Sequence, residues 1–341
     1  MIKNKDILNK ISAAGLVGRG GASYPTAKKW MAVKEALKTN KKGYIIVNGA
    51  EGEPGLKKDG YIFRHYAEEV IAGVYLADKF LGSKKIKKIY IFLNRNYYLK
   101  YAPDLRNILD SRKYLKLGIK TEFFVKPERL VYVSGEETAL LNLLEGKRVE
   151  PRLKPPYPTE KGLFNCPTLV HNPETFYNVS LVARDKFEEK RFYTIGGAAR
   201  HPGVYELSDK LSVEDILRKT ENYPPMSFFV QVGGGASGKI LNSGQLAASV
   251  EGAGLIMIYD KKRTDRKKLF RYWLNFYKEQ SCGQCTICRE GAYRLLELLD
   301  EKSFDQKLFK KIIAGFRETS FCGLGASLPI PFESYFDNIK N

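Results

Sequence analysis

Ser281-Cys282-Gly-Gln-Cys285-Thr-Ile-Cys288-Arg-Glu-Gly291 puts three cysteines on one short loop, and thirty-three residues separate Cys288 from Cys322. Soft thiolates at two-residue spacing with a distant fourth suit an iron–sulfur cluster, in which one loop caps three irons and another segment closes the cube. Structural zinc more often uses two Cys-x-x-Cys pairs or Cys with His. None of the three histidines is close in sequence to the loop. The spacing favours a [4Fe–4S] cluster, with zinc or a disulfide pair as the alternatives. It makes the chain an expected electron carrier. From about Asp265 the pattern is helical, so the loop sits between helices.

Outward from that loop, 341 residues suit two or three domains, and a hydrophobic content of 43% can build proper cores. No stretch approaches the apolar length of a membrane span, and Met1-Ile-Lys-Asn-Lys-Asp6 has no apolar run followed by a cleavage site. A cytoplasmic protein with reduced thiols is expected. The formal charge of +19 invites a nucleic-acid reading. The basic residues are spread along the chain, however, and the densest runs, Lys84-Lys85-Ile86-Lys87-Lys88 and Lys261-Lys262-Arg263, are short. No nucleic-acid-binding motif accompanies them. A solvated basic surface is expected, with docking to an acidic partner subunit as the functional alternative.

The first half alternates helix and strand. A short amphipathic helix is expected at about Asp6 to Ala14, followed by the Gly-rich segment 15–26. Strands are expected at Tyr44 to Val47, Ile89 to Leu93 and Thr121 to Val125, with helices at Arg64 to Leu81 and Tyr97 to Arg112. Such alternation makes a layered α/β domain with a mainly parallel sheet. Gly135-Glu136-Glu137 reads as a helix start, because acids in the first turn favour the positive end of the dipole. The Pro-rich connection Pro151 to Pro167 reads as a site-lining loop. From about Phe192 to Tyr259 short strands and turns indicate a small mixed domain.

Two glycine motifs need weighing. Gly18-x-Gly20-x-x-Ser23 approximates a dinucleotide fingerprint, but it follows a helix and has Ser in place of the third Gly. Its glycines can still let backbone N–H groups approach a phosphate or a flat ring. Gly233-Gly-Gly-Ala-Ser-Gly238-Lys239-Ile240 mimics a P-loop, but Ile240 replaces the hydroxyl residue that holds magnesium. It is expected to be a turn. Glu51-Gly-Glu53-Pro54 follows a buried strand, where α/β sheets place ligands, though a solvated loop is the plain alternative. Cys166 and His171 are single residues with expected packing or hydrogen-bonding roles. Trp30, Tyr24 and Tyr157 either stack on an adenine or fill the core.

Taken in order, these segments resemble the NADH-binding flavoprotein subunit of respiratory complex I and its relatives in NAD-linked hydrogenases and formate dehydrogenases. The resemblance runs from about Gly15 to Pro329. It is carried by Gly15-Leu-Val-Gly-Arg-Gly-Gly-Ala-Ser-Tyr-Pro-Thr-Ala-Lys-Lys-Trp30, by the acidic loop Asn48 to Pro54, by Gly135-Glu-Glu-Thr-Ala-Leu140 with Leu144-Glu-Gly146, by Lys154-Pro-Pro-Tyr157, Gly162-Leu-Phe and Asn172-Pro-Glu174-Thr175, and by the cysteine loop. It implies an α/β fold: a Rossmann-like flavin domain with a mainly parallel sheet at 1–185, a β-grasp-like domain at 186–262 and a helical bundle holding the cluster at 263–341.

The implied activity is NADH oxidation, with a hydride passing to FMN and single electrons passing to a [4Fe–4S] cluster. By the family pattern, Gly18, Arg19, Gly20, Gly21, Ala22, Lys29, Asn48, Glu51, Tyr132, Gly135, Glu136 and Glu137 line the FMN, with Asn172 and Thr175 near its phosphate side and His171 among the cofactor-binding positions. Glu53, Lys154, Tyr24 and Tyr157 meet NADH, and Glu51 and Glu53 are the expected catalytic pair. Cys282, Cys285, Cys288 and Cys322 ligate the cluster. Implied partners are NAD(H), a thioredoxin-like [2Fe–2S] subunit and further electron-transfer subunits, with no nucleic acid and with any membrane contact on the inner face made through the complex. Ala50 replaces the family's Asp, His171 the first of two adjacent Asn residues, and Ala32 an adenine-stacking aromatic. A structural iron–sulfur relay that has lost NADH oxidation is the alternative function.

Overall fold

The computed structural model describes residues 4–111, 114, 120–127 and 132–339. The chain divides into two compact units, one of Met1–Glu51 with Lys58–Glu188, the other of Gly52–Lys57 with Glu189–Asn341. The acidic loop is therefore split: Glu51 belongs to the first unit, and Glu53 to the second.

The first unit holds a four-stranded, wholly parallel sheet in the order β3-β2-β1-β4, where β1 is Gly43–Gly49, β2 Ile86–Leu93, β3 Thr121–Val125 and β4 Thr168–His171. β1 lies inside the sheet and nearly all of it is buried, which explains its unbroken apolar run. Tyr44 and Ile46 pack with Phe92, Leu140, Leu141, Leu163 and Val170. Connections run outward from β1 to β2 and β3, then return to β4 on its other side. That reversal creates a switch point between β1 and β4, where open α/β sheets bind ligands beyond the carboxyl ends of their strands.

The expected helix at Arg64 to Leu81 is two helices, Lys58–His65 and Ala67–Leu81. Tyr66 leaves helical geometry (φ −136°, ψ 29°), and its ring packs 4.8 Å from that of Tyr177. The next helix spans Arg95–Leu109, with Asn94 capping it through the Tyr97 N–H. Arg112, its expected end, lies outside the described residues. Gly73 permits close passage of Ala67–Leu81 over the helix Pro173–Ala183, since a Cβ there would lie 2.0 Å from the Phe176 carbonyl oxygen.

The second unit contains a mixed sheet in the order β6-β5-β9-β7-β8: β5 Lys190–Gly197, β6 Gly203–Ser208, β7 Phe228–Gly233, β8 Lys239–Asn242 and β9 Leu255–Asp260. β9 runs parallel to β5 and antiparallel to β7 between two antiparallel pairs, and the helix Val213–Lys219 packs on the sheet, giving a β-grasp-like arrangement. Ser212 and Asp215 start that helix with a capping box. The C-terminal helices enclose an aromatic core of Phe270, Trp273, Phe309, Phe332 and Tyr335. Ser334 accepts the Ile240 N–H at 2.8 Å and Asn338 donates to the Ile240 carbonyl at 2.7 Å, so the last helix covers the edge strand β8.

Candidate cofactor and nucleotide sites

Polar residues crown the carboxyl ends of all four parallel strands. Asn48 at the end of β1 accepts the Ala50 N–H at 3.3 Å and donates to the Gly135 carbonyl at 2.8 Å, fixing the start of the acidic loop against the Glu136–Glu137 segment. Asn94, after β2, and Lys126, after β3, both donate to the Ala50 carbonyl, at 3.4 and 3.3 Å. His171 ends β4 and Asn172 follows it. Asn172 caps the helix Pro173–Ala183, accepting from the Thr175 N–H at 3.2 Å and hydroxyl at 2.5 Å.

The glycine loop lies on that helix terminus. Gly18 donates to the Tyr24 carbonyl at 2.8 Å, a Val17–Pro25 bridge closes the base, and the Arg19 N–H donates to the Thr175 hydroxyl at 2.9 Å. A Cβ on Gly20 would stand 3.8 Å from the Asn172 side chain, while one on Gly21 (φ +115°) would meet nothing within 4 Å. Open glycine backbone beside an eleven-residue helix N-terminus suits the phosphate of a flavin nucleotide. The residues present fit FMN.

Lys29 pairs with Glu137 at 3.0 Å. Glu136 caps the helix Glu137–Leu144, accepting from Thr138 and Ala139 N–H groups, and also takes Lys154 Nζ at 2.8 Å. Burial would raise the Glu136 carboxyl, but Lys154 and the capping donors outweigh it and hold it below its usual range. Tyr132 is half-buried, and its carbonyl accepts the Gly135 N–H at 2.9 Å. Tyr24 and Tyr157 are 52% and 53% exposed, so neither ring fills the core. Trp30 and His171 are core residues: Trp30 Nε1 donates to His171 Nε2 at 3.1 Å. Burial, aided by Lys29, holds His171 well below its ordinary pKa, so the ring is neutral with its proton on Nδ1.

The two glutamates of the acidic loop have different settings. Glu51, in a left-handed backbone conformation (φ 32°), accepts the Asp59 N–H at 2.8 Å, the Gly60 N–H at 3.4 Å and the Tyr97 hydroxyl. Behind it Lys58, 2% exposed, pairs at 2.9 Å with both Asp59 and the fully buried Glu174. Burial and the neighbouring Asp59 push Glu51 up to about 7, against the pull of Lys58 and its hydrogen bonds. Burial would lower Lys58, but Asp59, Glu174 and Glu51 hold it protonated. Glu53, in the second unit, instead sends Oε1 into the Gly233–Gly238 turn, accepting from the N–H groups of Ala236 and Ser237 and the Ser237 hydroxyl at 3.1, 3.2 and 3.0 Å.

Cys285 and Cys288 are buried, and Cys282 and Cys322 half-buried. Arg289 donates to the Gly283 carbonyl at 2.7 Å, bracing the loop, and Ile287–Gly291 forms a π-helical turn of the kind common at functional sites. Cys285 Sγ accepts the Phe321 N–H at 3.3 Å, and Cys288 Sγ is 3.8 Å from the Ser320 hydroxyl. A Cβ on Gly325 would come within 2.6 Å of Cys288 Sγ, so only glycine leaves room for that sulfur. Burial, reinforced by Cys285 and Cys322 and opposed by Ser320, pushes the Cys288 thiol up to about 12. A sulfur that ligates a metal does so as the thiolate. Among the described residues no three or more His, Cys, Asp or Glu side chains are placed to hold a metal ion, so it is the cysteine pattern and its surroundings, not a preformed ligand cage, that bear on the cluster. An all-thiolate donor set with a backbone N–H directed at sulfur fits an iron–sulfur cluster.

Asn94, Lys126, Lys58, Asp59, Tyr97 and Ser237 were not anticipated. A polar residue immediately after each apolar strand was the available signal for Asn94 and Lys126; the others need the fold.

Crowned parallel strands, a glycine loop on a helix terminus and a braced cysteine loop define an iron–sulfur flavoprotein. The chain belongs to the family of the NADH-quinone oxidoreductase F subunits: the Nuo51 FMN-binding domain matches residues 11–181, and the NADH-ubiquinone oxidoreductase-F iron-sulfur binding region matches 268–341. The family's cofactors are FMN and a [4Fe–4S] cluster, and its substrate is NADH. The F subunit of the Aquifex aeolicus NADH-quinone oxidoreductase is 30% identical over 94% of this chain and 81% of its own. The NAD-reducing hydrogenase HoxS subunit alpha of Cupriavidus necator is 28% identical over 97% of this chain and 59% of its own. A chain of an NAD+-reducing [NiFe]-hydrogenase crystal structure in the H2-reduced state superposes with a TM-score of 0.88 at 28% identity, covering 98% of this chain; the chain spans 61% of that protein's length. These relatives are subunits of multi-subunit complexes. Among the described residues no helix is long and apolar enough to cross a membrane.

Proposed function

We propose that this chain is an NADH-oxidising electron-input subunit, taking a hydride from NADH and delivering single electrons to partner subunits. The observation that carries this reading is the crown at the switch point together with the glycine loop on the Asn172-capped helix, in a chain that also bears the four-cysteine pattern. FMN, when bound, supplies a two-electron acceptor that can release electrons singly to the [4Fe–4S] cluster.

The chain's own residues hold, orient and screen. Gly18 to Ala22, Asn172 and Thr175 receive the flavin phosphate; His171 stiffens that wall through Trp30. Asn48, Gly135, Glu136, Glu137, Lys29, Glu51 and Tyr132 frame the ring. Glu53 orients the nicotinamide, with Lys154 and the exposed rings of Tyr24 and Tyr157 as further NADH contacts. Cys282, Cys285, Cys288 and Cys322 ligate the cluster. Residues 1–185 form the flavin and nucleotide domain, 186–262 the β-grasp-like domain and 263–341 the cluster domain. A thioredoxin-like [2Fe–2S] subunit is the proposed acceptor or neighbour, and any contact with the inner face of a membrane is made through the complex.

An anaerobic titration of the reconstituted protein with NADH, following flavin absorbance and the cluster's paramagnetic signal, tests this. Flavin bleaching at stoichiometric NADH is expected. A bound cluster without flavin, or a flavin that NADH cannot bleach, overturns the enzyme reading and leaves the relay.

A further inference from the structure

The glycine run at Gly233–Gly238 has no place in the activity described above, and its shape is specific. A Cβ on Gly234 would lie 2.3 Å from Glu53 Oε1, and one on Gly235 would lie 2.0 Å from the Pro54 carbonyl oxygen. The turn is thus moulded to the 53–54 segment, and side chains there would expel it. Two successive N–H groups, from Ala236 and Ser237, and the Ser237 hydroxyl converge on one carboxylate oxygen. Converging backbone donors of this kind form an anion-binding nest. Here the anion is a side chain of the same protein.

We propose that the Gly233–Gly238 turn is a cradle that positions Glu53, with Ser237 as its positioning side chain, fixing Oε1 so that Oε2 is presented to the nucleotide. Among the described residues Oε2 takes no hydrogen bond, whereas Oε1 takes three. The anchoring removes side-chain freedom before the ligand arrives, the condition under which a single contact contributes fully to affinity.

The cradle is itself fixed. Gly238 donates to the Gly234 carbonyl at 3.0 Å, and Ala253 donates to the Gly233 carbonyl at 2.9 Å. From the cluster side, the buried Tyr277 hydroxyl lies 3.2 Å from the Ala236 carbonyl and 3.1 Å from Ser327 Oγ, on the short helix that begins after Cys322. One hydrogen-bonded run therefore connects Glu53, the turn and the helix adjoining a cluster cysteine. A P-loop would have used these N–H groups for phosphate; this turn spends them on a glutamate.

The proposal rests on the reading of Glu53 as the nicotinamide-orienting residue, and the test separates the two. Reconstituted full-length Ser237→Ala, Ser237→Thr, Gly234→Ala and Glu53→Gln are compared for flavin and cluster content and for kcat and KM with NADH. Ser237→Ala is expected to raise KM about tenfold, the scale of one charge-assisted hydrogen bond, with kcat and cofactor content close to wild type. Ser237→Thr, which keeps the hydroxyl, is expected to restore KM, and Gly234→Ala to raise it further. If Glu53→Gln impairs NADH oxidation while Ser237→Ala and Gly234→Ala leave KM unchanged, the cradle is wrong and the reading of Glu53 stands. If Glu53→Gln itself changes neither constant, the reading of Glu53 fails and takes the proposal with it. Loss of flavin or cluster from Ser237→Ala would make the turn a folding element and overturn the proposal too.

Discussion

Glu51 and Glu53 are two residues apart in one acidic loop, and the fold treats them oppositely. Glu51 belongs to the first unit, where it caps Lys58–His65 beside the buried Asp59 and shares its surroundings with Lys58 and Glu174. Glu53 belongs to the second unit, where three donors from a glycine turn hold one oxygen. The first is an acid among acids, pushed towards protonation by burial and like charge. The second is surrounded by hydrogen-bond donors. Equivalent letters in the sequence acquire different chemistry from what surrounds them, so one loop contains both an acid raised by burial and a neighbouring acid and an acid held by a glycine turn.

The widest expected difference between the two settings comes from removing the cation behind Glu51. The buried Asp59 and Glu174 both pair with Lys58. Lys58→Met should destabilise the chain by about 3–5 kcal/mol in urea unfolding at pH 7, because it leaves uncompensated buried carboxylates. A loss below about 1 kcal/mol would show that the acids are already neutral, and the contrast with Glu53 would collapse.

The next effect lies one residue before Glu51. Lys126 is 3% exposed, donates to the Ala50 carbonyl, and has no carboxylate partner among the described residues; burial pulls it down to about 7 from its ordinary 10.5. The unfolded chain therefore binds more protons than the folded one between about pH 7 and 10.5, and stability rises with pH through that window. Lys126→Met should be more stable than wild type by about 2 kcal/mol at pH 6 and should lose the rise. Parallel wild-type and variant curves between pH 6 and 9 would refute a buried, uncompensated amine. On the Glu53 side, Glu53→Ala strips the acceptor from two N–H groups and a hydroxyl and should cost about 1–2 kcal/mol in urea unfolding. A neutral result there would mean that water replaces the carboxylate freely.

The parts of this arrangement legible in the sequence share a physical property: they are local. Tyr44–Val47 and Thr121–Val125 announce strands by apolar or β-forming runs, Glu136 marks a helix start, and the cysteine spacing carries its own chemistry. β4 is only four residues long behind a Pro-rich connection, and neither it nor β9 was anticipated. The break at Tyr66 comes without Pro or Gly, in a stretch whose apolar pattern continues. The glycine run is a turn, as expected, yet the side chain it holds, Glu53, lies 183 residues before Ala236 in the chain. Lys126 looks like any other of the 57 basic residues until burial singles it out.

The smallest expected effect is the one that isolates Glu51 itself. Its carboxyl is pushed from an ordinary 4.5 to about 7, so the folded chain binds a proton more tightly than the unfolded chain. Stability then falls as pH rises from about 4.5 to 7, the reverse of the Lys126 slope, and Asp59, also raised by burial, adds to it with the same sign. Glu51→Gln keeps an oxygen for the nearer, Asp59 N–H group but cannot ionise. It should flatten the fall between pH 5 and 7 and leave the variant more stable than wild type at pH 8 by on the order of 1 kcal/mol. If the Glu51 variant kept the wild-type slope, the acid responsible would be Asp59, and the division of labour within the loop would have to be redrawn around the helix it precedes.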